Sequence, residues 1–155
     1  MAEIRMVQFF KLSTANGQTH LYQNYFVNEA KVFNSLSYSF VPFRADGAMA
    51  AINGDNPMLK ILFPSIELIL RLVEAGQYNH LSTLELTTAY VDAAGSIIGS
   101  PSTDFYTGIG AGFSETTVEL RFRSAVDSIG TAFPARTLTR QLVGPLPLNS
   151  ELYLR

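Results

Sequence analysis

The chain has no cysteine and no tryptophan, only two histidines, and few charges: 15% of its 155 residues are Asp, Glu, Lys or Arg, where soluble domains usually carry about a quarter. Without cysteine there is no disulfide frame, no thiolate metal site and no cysteine nucleophile. His20 and His80 have no carboxylate or second histidine at metal-binding spacing, so both read as structural or surface histidines and no metal is expected. There is no G-x-S-x-G elbow, and Gly112-Phe113-Ser114 lacks the following glycine. Gly108-Ile109-Gly110-Ala111-Gly112 lacks the helix and the Lys-Ser/Thr pair that a phosphate loop needs. Asp46, Asp55, Asp92 and Asp104 are too scattered for a calcium loop and read as turn formers. No catalytic residue and no cofactor is therefore expected, and the chain does not read as an enzyme. The longest greasy stretch, residues 61–73, is broken by Pro64, Ser65, Glu67 and Arg71, so no membrane span is expected. The start, Met1-Ala2-Glu3-Ile4-Arg5, lacks the basic and apolar regions of a signal peptide.

What is present points to β structure and to contact with other proteins. The length suits one domain. Hydrophobic residues make up 47% of the chain, so with so few charges some surface should be covered by neighbours; the alternative is a monomer with a Ser/Thr/Asn-rich surface. Charge is also polarised, with residues 1–120 at a net −5 and residues 121–155 at +3. Such polarity suits head-to-tail or ring association. It is too weak for nucleic-acid binding.

Residues 4–12 and 21–27 are rich in β-formers and flank Asn16-Gly17, a hairpin signal. Leu36, Tyr38 and Phe40 alternate with serines, which reads as a half-buried strand. Residues 58–63 read as a buried strand after the Asn53-to-Pro57 turn, and residues 65–76 as the one helix, capped by Ser65 and ended by Gly76. Ile66, Ile69, Leu70 and Val73 form its apolar stripe, and Leu68 and Leu72 widen it, so burial on most sides is expected. Strands follow at residues 83–90 and 117–123, the latter with Val118, Leu120 and Phe122 inward and Glu119, Arg121 and Arg123 outward. Between them, residues 99–112, with Pro101 and four glycines, read as a long projecting loop, mobile in the free subunit and ordered in an assembly. The expected fold is mainly β: an antiparallel β-barrel over residues 1–143 with one inserted helix, followed by an extended arm, residues 144–155. Phe9-Phe10 and Tyr25-Phe26 cannot each face one core from a strand, because neighbours point to opposite faces. One of each pair should reach a second apolar surface, either the helix or a partner subunit.

Several segments form a family pattern: Tyr38 to Val41; Ala51-Ile52-Asn53-Gly54; the stretch from Pro57 to Ser65; Val118 to Ser124; and Phe133-Pro134-Ala135-Arg136. Over most of its length the chain resembles the N-terminal part of phage tail-tip proteins of the lambda minor tail protein L type. The resemblance implies a tail-hub β-barrel in a ring below the tail tube, as a structural part of a tail tip or baseplate. It implies partners among other phage tail proteins (distal tail or tube proteins, hub and fibre proteins), a homo-oligomer with a trimer preferred to a hexamer, and location in the virion tail after assembly in the host cytoplasm. That family continues into a cysteine-bearing domain holding an iron–sulfur cluster. Here no cysteine exists, so no cluster is expected and that half's role should fall to another subunit. The expected protein contacts are Arg121, Arg123, Arg136 and Arg140, the segment 99–112, and the tail 145–155 with Tyr153 and Leu154. A stand-alone β-barrel binding a small ligand or glycan is the alternative; neither nucleic acid nor membrane is expected as a partner.

Overall fold

A computed structural model describes residues 3–47 and 58–125. Its strands are β1 (Arg5–Ser13), β2 (Thr19–Gln23), β3 (Lys31–Phe33), β4 (Leu36–Phe40), β5 (Arg44–Asp46), β6 (Leu59–Pro64), β7 (Thr83–Val91), β8 (Ile97–Phe113) and β9 (Thr117–Ser124). Among the described residues one α-helix, α1 (Glu67–Ala75), lies between β6 and β7. The strands form one sheet in the order β3-β4-β2-β1-β7-β8-β9-β6-β5, antiparallel except for the β2–β4 pair.

The Asn16-Gly17 signal makes the β1–β2 hairpin, and only its glycine takes the left-handed conformation, at φ +85°. Gly17 N–H donates to the Thr14 carbonyl at 3.0 Å and Thr14 N–H to the Gln18 carbonyl at 2.8 Å, which closes the turn. Asn16 has a second task. Its Nδ2 donates to the Ala75 carbonyl at 2.9 Å, satisfying one of the orphan acceptors at the end of α1 and fixing the helix to the hairpin.

The sheet is strongly curled. Phe10 of β1 lies 5.3 Å, ring to ring, from Phe63 of β6, although three strands separate β1 from β6 in the sheet order. In a flat sheet those strands would stand about 19 Å apart, at roughly 4.8 Å per step. The curled inner face holds a core of Phe10, Leu84, Leu86, Leu120 and Phe122, with Val41 and Phe43 of the β4–β5 connection and Ile69, Leu72 and Val73 of α1 packed into it. The end strands β3 and β5 do not pair, so the expected mainly antiparallel sheet with one helix is present, but the sheet is not closed.

Three expectations require correction. Ser65 does not cap α1: the cap position is Ile66, and no side chain bonds there. Instead Ser65 N–H donates to the Thr116 carbonyl at 2.9 Å, tying the helix entry to the β8–β9 turn. Nor is the helix buried on most sides, because Ile66 and Leu68 are exposed and only Ile69, Leu72 and Val73 are fully buried. Residues 99–112 are not a loop but most of β8, which pairs with β7 as far as Thr107 and with β9 from Tyr106 onward.

The adjacent phenylalanines resolve differently from expectation. Phe10 enters the inner core, while Phe9 enters a second core on the opposite face with Val7, Tyr38, Ala89 and Val91. The cover there is neither the helix nor another subunit but the chain's own β3–β4 hairpin, with Phe33 stacked on Phe9 at 4.5 Å and Tyr38 edge-on at 5.1 Å. Tyr25 and Phe26 pack against this second core from the loop after β2. Buried Gln23 shapes that loop: its Oε1 accepts from Tyr25 and Phe26 N–H, and its Nε2 donates to the Phe26 and Glu29 carbonyls.

Candidate protein-contact surface

Strand β9 alternates as expected: Val118, Leu120 and Phe122 are fully buried, while Arg121 and Arg123 are exposed. Arg121 Nε donates to Glu119 Oε1 at 2.6 Å, and Lys60 of β6 approaches the same oxygen at 3.9 Å. Glu119 is thus shared by two cations. Arg123 stands opposite Thr107 of β8 and makes no ion pair among the described residues. Arg136, Arg140, Tyr153, Leu154 and the segment 145–155 lie outside the described residues.

Beside these arginines is a feature that sequence reasoning missed. After α1 the chain makes a left-handed turn: Gln77, Tyr78 and Asn79 have φ of +52°, +55° and +65°, and Leu81 has +57°. Left-handed backbone costs a side-chain-bearing residue roughly 1–2 kcal/mol, so something must hold the turn. Asn79 does so. Its Nδ2 donates to the Gly110 carbonyl at 3.2 Å and the Arg121 carbonyl at 2.9 Å, and its Oδ1 accepts from the Ser82 hydroxyl. These bonds fall where the β8–β9 register shifts, between Gly108 and Gly110, so the side chain fills the rungs left open by the bulge.

The turn lifts apolar side chains outward. Leu81 is 77% exposed, and Tyr78 meets Phe113 edge to face at 6.1 Å with both rings about half exposed. Phe113 and Arg121 share the walls of a shallow hollow of about 150 Å³, with Glu119 and Ser114. Aromatic rings beside an arginine are the composition enriched in protein-contact patches. The signal available in sequence was Gly76 and Asn79 flanking Tyr78, residues that permit a sharp turn around an aromatic.

No group of three or more His, Asp or Glu side chains placed to hold a metal occurs among the described residues. No described helix is long and apolar enough to cross a membrane. His20, on the inner face beside Tyr22, is partly buried, and its Nε2 has no hydrogen-bond partner among the described residues. Burial lowers its pKa from the ordinary 6.5. The unfolded chain therefore takes up the His20 proton at a higher pH than the folded chain, and stability falls as pH drops below about 6.5. Replacing His20 by glutamine should flatten the dependence of the thermal midpoint on pH between 6.5 and 5; an unchanged slope would assign it to other groups.

The class that these features define is a mainly β domain with an exposed aromatic and arginine surface. No family model matches the chain, and no curated protein matches it.

Proposed function

We propose that the chain is a structural subunit of a phage tail tip or baseplate, forming a ring that joins the end of the tail tube to hub or fibre proteins. One observation carries the binding part of this reading. Thirteen large apolar side chains among the described residues are more than a third exposed, on a chain with only 15% charged residues. Scattered apolar residues are ordinary on a monomer, but here Tyr78 and Phe113 form an exposed aromatic pair, and Phe113 lines a hollow together with Arg121, a composition that suits an association surface. The tail-tip part is supported by the motif residues. Of these, the stretches around Leu59–Pro64 and Thr117–Ser124 are hydrogen-bonded neighbours, β6 and β9. Apolar burial supplies affinity, and the opposed charge of the two parts of the chain fixes orientation.

The test is charge reversal at Arg121 and Arg123 together. Both are exposed, so the fold should hold to within about 0.5 kcal/mol per site. Self-association, measured by sedimentation equilibrium, should weaken about tenfold or more, as loss of 1.4 kcal/mol or more of contact free energy gives. Unchanged association with an intact fold would remove this face from the interface.

A further inference from the structure

The tip of the β1–β2 hairpin is joined to the end of α1 through one exposed residue. Asn16 Nδ2 donates to the Ala75 carbonyl at 2.9 Å, and Thr14 packs beside it, since a Cβ on Gly76 would meet Thr14 Cγ2 at 3.2 Å. Asn16 and Gly17 are both exposed. Asparagine followed by glycine is chemically reactive, because glycine has no Cβ to keep its backbone nitrogen from the asparagine side chain. At Gly17 even an added Cβ would meet nothing within 4 Å, so the turn leaves room for the reaction.

We propose that Asn16 is a deamidation site, protected while the hairpin and α1 are docked, whose conversion unfastens the helix from the hairpin. Gly17 N attacks Asn16 Cγ and gives up its proton to solvent. The carboxamide nitrogen leaves as ammonia, and a five-membered succinimide closes. Water then opens either imide carbonyl, leaving aspartate or isoaspartate at position 16, with no oxidant or reductant involved. In the docked fold both reacting groups are held elsewhere. Gly17 N–H donates to the Thr14 carbonyl at 3.0 Å, and Asn16 Oδ1 accepts from the Thr14 hydroxyl, with Gln18 N–H at 3.4 Å. Attack therefore waits for the tip to open. The product cannot restore the junction. A carboxylate only accepts hydrogen bonds, so it faces the Ala75 carbonyl with no proton to give. It also sits at the negative end of α1, whose last turn has no basic residue to offset it. This inference stands apart from the tail-tip reading, since it concerns one chain alone.

The experiment incubates full-length chain at mildly alkaline pH, folded and in guanidinium chloride, and follows residue 16 by peptide mass spectrometry. Conversion should be about 10- to 100-fold slower in the folded chain, the range of a local opening. Asn53, in the chain's other Asn-Gly pair, is the clock for the unfolded state, where the two should convert alike. Equal rates at residue 16 in the two conditions would show no protection by docking. Slowing beyond about 1,000-fold would mean that only global unfolding exposes the site. Either overturns the proposal. Asn16→Asp supplies the product directly. Its thermal midpoint should fall by about 3–6 °C. The Gly76 amide, which donates to the Leu72 carbonyl at 2.9 Å, should exchange about tenfold faster. An unchanged midpoint, or a lower one with Gly76 exchange unaltered, would show that position 16 does not fasten the helix.

Discussion

Alanine at position 108 should destabilise the fold by about 3 kcal/mol, the upper part of the range for overpacking, which lowers the thermal midpoint by about 6–12 °C in a chain of this size. A Cβ built on Gly108 would lie 2.1 Å from Ser82 Oγ, 2.3 Å from the Asn79 carbonyl oxygen and 2.6 Å from Asn79 Oδ1. The serine hydroxyl could rotate away. The Asn79 carbonyl belongs to the left-handed backbone and cannot move without undoing the turn that Asn79 itself anchors. Gly110 is the internal control, because a Cβ there meets nothing within 4 Å and its φ is not left-handed. Gly110→Ala should be neutral, or stabilising by about 0.5 kcal/mol through reduced freedom of the unfolded chain. Equal effects at the two glycines would show that the Asn79 contact does not anchor the bulge.

Phe9→Ala should cost about 3–5 kcal/mol, as much as Phe10→Ala, although the two side chains lie on opposite faces of β1. Phe9 is 1% exposed between Phe33 and Tyr38, so its loss leaves a cavity under the β3–β4 hairpin. That is a large share of the roughly 5–15 kcal/mol by which domains are stable, and urea unfolding should show a much lower midpoint for both variants. Phe105→Ala, at a ring 57% exposed, should stay within about 0.5 kcal/mol. A near-neutral Phe9→Ala would mean that the second face is not a core, and would return Phe9 to the role of a contact residue.

These two sites also mark what could and could not be read from sequence. The hairpin at Asn16-Gly17, the alternation of β9, the strand β6 and the buried stripe of α1 were legible because each has one polar and one apolar side, or a turn residue with one use. β8 was not. Its glycines spoke for a loop, whereas Gly108 is there because Asn79 and Ser82 occupy the space of a side chain, a long-range fact. The double burial of β1 was half legible: Val7, Gln8, Phe9 and Phe10 break alternation, which demanded a second apolar surface but could not say that the chain supplies it. β7 hides the same switch, since Leu84 and Leu86 are buried on the inner face and Ala89 and Val91 on the other, across an irregularity between Thr88 and Tyr90. Of the expected contact residues, Arg121 and Arg123 are surface groups of one strand. The aromatic turn beside them was missed because φ and exposure at Tyr78 depend on what Asn79 reaches across the sheet.

We propose that this chain works by associating and that residues 145–155, which lie outside the described residues, contribute to the contacts. The most direct measurement compares full-length protein with protein lacking residues 145–155, by thermal unfolding and by sedimentation over a range of concentrations. The full chain should associate, and the shortened chain should unfold at the same temperature but sediment as a monomer. A full chain that stays monomeric at high concentration, a shortened chain that fails to fold, or one that associates as well as the full chain would contradict this proposal.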